Sequence, residues 1–159
     1  MRIEKDFEDF IKHLNHENIK YCIIGAMAIN LHGRPRYTGD LDIFVEPTIE
    51  NSIKTYKAIK EFGADVSDVN PDYFSKAGNY FQIGITPVQI HISTKIDAVN
   101  FDEVWKNKLE TKYGEEQSRF IGINELIKNL EATGRDQHRV DARILREIRD
   151  KKNTKGFDR

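Results

Sequence analysis

The chain has 159 residues, with 25 basic and 26 acidic side chains, a hydrophobic share of 38% and one cysteine. That length fits one domain, with or without a helical extension, and the near-zero net charge argues against a dedicated duplex-binding protein. One cysteine excludes a disulfide framework and a cysteine-based zinc cluster. No apolar run approaches the roughly 20 residues of a membrane span and no signal-peptide core is present, so we expect a cytoplasmic protein with no membrane partner.

Helical and strand patterns alternate in the first part of the chain. Apolar residues at helical spacing over 3–14 predict a first helix. The continuous apolar run 21–24 ends at a glycine, which predicts a buried strand leading into a short helix over 26–32. Alternation over 40–45 predicts a second strand, and helical spacing over 49–62 predicts another helix.

The second part begins with two candidate strands, 80–85 and 88–92, which Thr86-Pro87 would join as a hairpin. A short helix is expected at 101–108, and a further hairpin around Gly114. Two more helices are predicted from apolar spacing, one beginning near Ile123 and one ending near Ile148. We therefore expect an α/β (α+β) fold with a small mixed sheet flanked by helices and a helical C-terminal tail.

We divide the chain into a core (1–122), C-terminal helices packed on the core (123–150) and a flexible basic tail (151–159). Residues 135–159 hold nine basic and five acidic side chains, whereas the remainder holds 16 basic and 21 acidic ones. A basic segment of this kind either meets phosphate or forms a solvated helix face, and its composition is compatible with both.

Asp40 and Asp42 form the most informative pair. They lie two apart on a predicted strand, so both side chains point to one face of the sheet and repel each other. A divalent cation between them would relieve the repulsion, and Mg²⁺ favours one or two carboxylates together with substrate phosphates. The alternative is an acid pair that is merely exposed on a sheet face.

The residues before this pair suit a phosphate. Gly25 follows a buried strand and opens a helix, where the backbone can approach an anion closely. Arg34 and Arg36 can each form a bidentate pair with a phosphate group, and the Thr38 hydroxyl can donate a hydrogen bond to it. A plain surface loop is the alternative for both arginines.

This order of motifs resembles the nucleotidyltransferase superfamily typified by DNA polymerase beta, and it looks most like the small bacterial branch that includes the AbiEii-type toxin nucleotidyltransferases. The resemblance covers most of residues 20–146, including a helical tail around Asn124–Asp141. It implies that Gly25 and Ala26 seat a nucleoside triphosphate and that the paired aspartates hold Mg²⁺, with a two-metal site possible and Mn²⁺ as a substitute. The motifs are Ile24-Gly25-Ala26, His32-Gly33, Arg36, Thr38, Asp40 and Asp42.

The sequence departs from the family pattern at a position important for catalysis. Gln89 stands where the family places a third aspartate, and its neutral oxygen would hold a second metal ion more weakly. His91 is predicted on the same face and could act as a base for an acceptor hydroxyl, although a structural histidine is an equal alternative. Ala26 also replaces the usual glycine or serine.

Three functions are therefore open. The first is an enzyme that transfers a nucleoside monophosphate from Mg–NTP to a hydroxyl on tRNA or another RNA end, on a protein or on a small molecule. The second is a catalytically impaired module that binds nucleotide or a protein partner, such as a toxin–antitoxin component. The third, weaker one is a generic α/β domain with an incidental acid pair.

Overall fold

The computed structural model describes residues 1–85 and 87–157, with side chains described up to residue 155. The helices in this part are α1 (Lys5–His16), α2 (Gly25–Leu31), α3 (Ile49–Phe62), α4 (Phe101–Lys106), α5 (Ile123–Ala132) and α6 (Asp136–Phe157). The strands are β1 (Tyr21–Ile24), β2 (Asp40–Val45), β3 (Tyr80–Ile85), β4 (Val88–Ser93), β5 (Leu109–Tyr113) and β6 (Glu116–Phe120).

The strands form one mixed sheet in the order β3-β4-β2-β1-β6-β5. β2 lies antiparallel to β1 and parallel to β4, while β1 also pairs in parallel with β6. The two outer pairs are antiparallel hairpins, as predicted, although Thr86 of the expected β3–β4 turn lies outside the described residues. The predicted mixed α/β fold with a small mixed sheet is confirmed.

Helices cover the sheet because their apolar stripes match its buried side chains. The stripe of α1 is fully buried, and its Phe10 ring meets Phe62 of α3 edge-on with the ring centroids 5.1 Å apart. Thr48 caps the start of α3, because its hydroxyl accepts a hydrogen bond from the Asn51 N–H, and Gly63 caps its end in the left-handed conformation. The buried residues of the α1 stripe are Phe7, Phe10, Ile11 and Leu14.

The last helix, α6, packs against the loop that precedes β2. Leu145 of α6 is fully buried in the common core, and a Cβ at Gly33 would lie 3.4 Å from Ile148. α6 continues to Phe157, beyond residue 150 where the predicted helix ended, so residues 151–157 are helical. Within the described residues, no helix has the length and apolar character needed to cross a lipid bilayer.

The single cysteine lies in the central strand β1 and is fully buried. Burial raises the pKa of the Cys22 thiol to about 12, against the attraction of Lys108 and Arg119 for the thiolate. Because only the thiolate is nucleophilic, Cys22 is expected to resist Ellman's reagent at pH 8 in the folded protein and to react fully in denaturant. Rapid labelling without denaturant would contradict the buried position.

Candidate active site

The acid pair lies at the start of β2, with both carboxylates on one face of the sheet. Leu41 and Ile43 alternate with the acids and are fully buried, so the pleat directs Asp40 and Asp42 to the open side. Further along this face Phe44 is buried against Phe101 of α4, with the ring centroids 5.1 Å apart. The open part of the face therefore ends just past the acids.

Two side chains of β4 stand beside the acids. The parallel register pairs Asp40 with Gln89 and Asp42 with His91, so all four share the face that the sequence predicts. Nδ1 of His91 lies 3.2 Å from Oδ1 of Asp42, and Nε2 lies 2.8 Å from Oε1 of Gln89. A neutral ring satisfies both contacts if Nδ1–H donates to the carboxylate and the Gln89 amide is turned by 180°, so that its N–H replaces Oε1 opposite Nε2.

Electrostatics disfavour the ionised form of one acid. Burial raises the pKa of Asp42, the negative charge of Asp40 acts in the same direction, and His91 opposes both. The side chain of Asp42 retains 29% of its accessible surface, so solvent or a ligand can still reach it. A cation bound over the pair would stabilise the ionised state that the protein alone disfavours.

The chemistry of the donors fits one Mg²⁺ that shares its coordination with phosphate oxygens, since two carboxylates are a usual protein contribution to such an ion. Asp40 and Asp42 are the residues that would hold it. Within the described ranges, no group of three or more His, Cys, Asp or Glu side chains is placed to hold a metal ion. A second ion would therefore depend on the neutral oxygen of Gln89 and on the substrate.

The Asp42 carboxylate occupies the space that a side chain at position 25 would need. Its φ of 70° lies in the left-handed region, where a side chain is strained. A Cβ there would lie 3.0 Å from Cγ of Asp42 and closer still to Oδ2. The glycine that begins α2 is thus required locally by the carboxylate across the β1–β2 pair, and Ala26 follows it in the first turn of the helix.

The two loop arginines, predicted to hold phosphate, share an internal partner. Nε of Arg34 donates to Oδ1 of Asp141 at 2.6 Å, and Nη1 of Arg36 donates to Oδ2 of the same carboxylate. Asp141 lies on α6 and is completely buried. Burial alone would raise the pKa of Asp141, but the hydrogen bonds from Arg36 and then Arg34 outweigh it and hold that pKa below its usual range.

The loop itself is held on its other side by α2. Nδ2 of Asn30 donates to the backbone oxygen of Arg36 at 3.0 Å. Arg36, Thr38 and Gly39 then line a cleft of about 520 Å³ together with Arg2 from the N-terminus. Arg36 therefore reaches the cleft while it is bonded to Asp141, and the phosphate roles of Arg34, Arg36 and Thr38 stay predictions.

The anchoring role of Asp141 is the feature that the sequence analysis missed. Ile144, Leu145 and Ile148 lie three, four and seven residues further along, so Asp141 belongs to the apolar stripe of α6. An acid in a buried stripe requires a cationic or hydrogen-bonding partner. That pattern could have indicated a buried ion pair, although it could not have named the arginines.

The fold that carries this site is that of the nucleotidyltransferases. One similar solved structure is the lincosamide antibiotic adenylyltransferase LnuA with bound lincomycin, with a TM-score of 0.59 and 16% sequence identity over 91% of this chain and 97% of that chain. Another is a Thermotoga maritima protein assigned to the nucleotidyltransferases, with a TM-score of 0.59 and 12% identity over 92% of each chain.

Sequence comparison adds no closer relative. No protein-family model matches the chain, and no curated protein matches it. At identities of 16% and 12% the structural likeness concerns the fold. The predicted nucleotidyltransferase resemblance is therefore confirmed for the fold, while membership of the AbiEii-type branch stays a prediction.

Proposed function

We propose that this protein binds a magnesium–nucleoside triphosphate and transfers the nucleoside monophosphate to a hydroxyl acceptor. The observation that carries the proposal is the pair Asp40 and Asp42 on one open sheet face of a nucleotidyltransferase fold, where the lack of a side chain at Gly25 makes room for the Asp42 carboxylate. Two adjoining carboxylates without a lysine or arginine beside them, among the described contacts, suit a cation that arrives with the substrate.

Each site residue then has a role. Asp40 and Asp42 would hold Mg²⁺, which neutralises charge on the phosphates when bound. Gly25 and Ala26 seat the triphosphate against the start of α2. Thr38 and the N–H groups of Arg36 that are not bonded to Asp141 extend the phosphate contacts. Arg34 adds its positive charge to theirs while it is bonded to Asp141.

The reaction joins an acceptor oxygen to the α-phosphorus and breaks the bond from that phosphorus to the bridging oxygen, which leaves with pyrophosphate. We assign the acceptor proton to Nε2 of His91, which would exchange its contact with Gln89 for the acceptor hydroxyl while Nδ1–H stays bonded to Asp42. Gln89 lies beside Asp40 at the position of the third acid, holds the His91 ring and offers a neutral oxygen to the site.

A second function is favoured by one feature of the same site. Among the described residues, no third acidic side chain joins Asp40 and Asp42 to form a metal-binding group. Asp42 also has His91 as a partner, so the acid pair can be accommodated in a protein that does not catalyse transfer. In that case it would be a module that binds nucleotide or a protein partner, for example one component of a toxin–antitoxin pair.

The deciding experiment incubates the protein with each α-³²P-labelled NTP and Mg²⁺ or Mn²⁺. The acceptors are total tRNA, cell-lysate protein and a mixture of hydroxylated small molecules. We expect label to appear on one acceptor class with release of pyrophosphate. Nucleotide binding without transfer to any acceptor, measured by a thermal shift with Mg–NTP, would favour the module and contradict the enzyme.

The contact between Gly25 and Asp42 gives a sharper prediction. Gly25→Ala is expected to lower transfer at least about tenfold, because the new methyl group must displace the Asp42 carboxylate. The cost of the left-handed backbone, roughly 1 kcal/mol, comes in addition and affects stability. The rate of label transfer and the midpoint of urea unfolding are measured on the same preparation.

Gly63→Ala is the matched control. Gly63 also has a positive φ, 103°, but a Cβ there has no neighbour within 4 Å. This variant should show a similar loss of stability and full transfer. Equal transfer by the Gly25 and Gly63 variants would mean that the close approach to Asp42 does not matter for the reaction.

A further inference from the structure

The open face of the sheet continues beyond the acids across β4 onto the edge strand β3. The antiparallel register pairs Gln82 with His91 and Gly84 with Gln89, so these residues share the face of Asp40 and Asp42. Tyr80 lies on the same face, two residues before Gln82. In contrast, Phe81 points to the core side, where its ring centroid lies 6.0 Å from that of Phe74.

This extension carries no charged side chain. From residue 77 to residue 94 the sequence contains no Asp, Glu, Lys or Arg, although charged residues make up 32% of the chain. The groups on the face are a phenol, two amides and an imidazole. Amide and hydroxyl groups recognise neutral hydroxyl-bearing molecules, whereas a polyamine needs carboxylates and a nucleic acid needs basic residues.

Tyr80 provides an aromatic surface at this position. Its side chain is 48% exposed, and its ring meets His91 edge-on with the ring centroids 5.5 Å apart. Its hydroxyl lies 3.3 Å from Oε1 of Gln82. Burial and then the charges of Asp42 and Asp40 raise the pKa of Tyr80, consistent with a phenol close to the acid pair.

Gly84 leaves the face open beside this surface. Its φ is 83°, and a Cβ there would lie 2.7 Å from the backbone oxygen of Val88, so no larger side chain fits without a shift of the backbone. The position opposite Gln89 therefore carries no side chain of its own. Gln82 lies between Tyr80 and Gly84, and its Nε2 donates to the Gly84 backbone oxygen at 3.4 Å, so a ring lying along β3 would rest on the Gln82 amide.

We propose that this β3–β4 face, defined by Tyr80, Gln82, Gly84, Gln89 and His91, is the acceptor subsite. It takes an uncharged compound with a hydroxylated ring, of the sugar type, stacked on Tyr80 and hydrogen-bonded by Gln82, with one hydroxyl directed to His91. This inference rests on the proposed function and selects the small-molecule class among its acceptors. Lack of charge on the face and its continuity with Asp42 are the observations that carry it.

The test compares acceptors and variants in the labelled-NTP assay, with the NTP that the first experiment selects. The acceptors are a set of neutral methyl glycosides, an aminoglycoside and a short RNA with a free 3′ ribose. Transfer is expected to the neutral glycosides. With the best of them, Tyr80→Ala should raise the acceptor KM about tenfold and leave the KM for the NTP unchanged, while Tyr80→Phe restores the wild-type KM.

Leu109→Ala is the control, because Leu109 is 43% exposed on β5 at the opposite edge of the sheet. It should leave both KM values unchanged. Preferred transfer to RNA or to the aminoglycoside would overturn the proposal, and so would a Tyr80→Ala variant whose acceptor KM equals that of the wild type.

Ligand-observed NMR with the same glycosides separates the two levels of inference. Binding that Tyr80→Ala weakens, without label transfer to any acceptor, supports the subsite and contradicts the enzyme. Transfer in which Tyr80 has no part supports the enzyme and contradicts the subsite. Absence of both binding and transfer contradicts both.

Discussion

Asp42→Asn is expected to reduce nucleotidyl transfer at least about a hundredfold, since removal of one charged group that stabilises the transition state commonly costs that much. The amide keeps the shape of the carboxylate and an oxygen that can accept from His91. It loses the charge that would hold Mg²⁺ beside Asp40. The measurement is the initial rate of transfer from α-labelled NTP as a function of the Mg²⁺ concentration. The variant should need more Mg²⁺ than the wild type to reach its half-maximal rate.

The same substitution is expected to stabilise the fold. The pKa of Asp42 is raised in the folded state, so its folded form binds protons more readily than the unfolded chain, and stability falls as the pH rises through that pKa. Above that pKa the ionised Asp42 is therefore destabilising, and the neutral amide of the variant removes that effect. Without metal, the thermal midpoint of the variant should equal or exceed that of the wild type at pH 7.

Asp68→Asn provides the control, because Asp68 is an exposed carboxylate in the loop after α3. It should retain wild-type transfer. If Asp42→Asn also retained transfer, the metal role of the pair would be refuted. If it lost transfer and unfolded at neutral pH, the carboxylate would be structural instead.

Asp141→Asn is expected to lower the free energy of unfolding by about 3 kcal/mol, because removal of one partner of a buried ion pair leaves the other charge without compensation. Two guanidinium groups lose their shared carboxylate in this variant, and their side chains are only 22% and 24% exposed. For a chain of this size the loss corresponds to a fall in thermal midpoint on the order of 10 °C. Urea unfolding measures it directly.

The pH dependence of this effect has a definite sign. The pKa of Asp141 is lowered in the folded state, so its contribution is complete above about pH 4 and is lost as the pH falls through the folded value. Wild type and variant should therefore converge in acid. Asp136→Asn, whose side chain on the same helix is 98% exposed, should match the wild type throughout.

The architecture was accessible from the sequence because its signals are local. Alternation over 40–45 placed Asp40 and Asp42 on one face, and the apolar run of β1 identified a buried strand. The same alternation in β4 placed Gln89 and His91 together, and the parallel register sets them beside the acids. Each inference needed only the period of a strand and the rule that the sheet buries one face.

The unpredicted contacts of the site join segments that are distant in the sequence. Arg36 and Asp141 are 105 residues apart, and no local pattern pairs a loop guanidinium with a carboxylate on the last helix. The bond from His91 to Asp42 required the register of two strands that α3 and β3 separate along the chain. The extension of α6 past residue 150 was missed for a local reason, since residues 151–155 are exposed and form no apolar stripe.

The position of β1 in the middle of the sheet has a consequence for biosynthesis. Ile23 pairs with Phe120, so one edge of β1 stays without its partner until that residue leaves the ribosome, and parallel pairing at such separation is slow. Arg34 and Arg36 remain without their carboxylate partner for longer, until Asp141 has been synthesised. The acid pair is thus made early, in a nascent chain whose surrounding contacts are completed only after residue 141 has been synthesised.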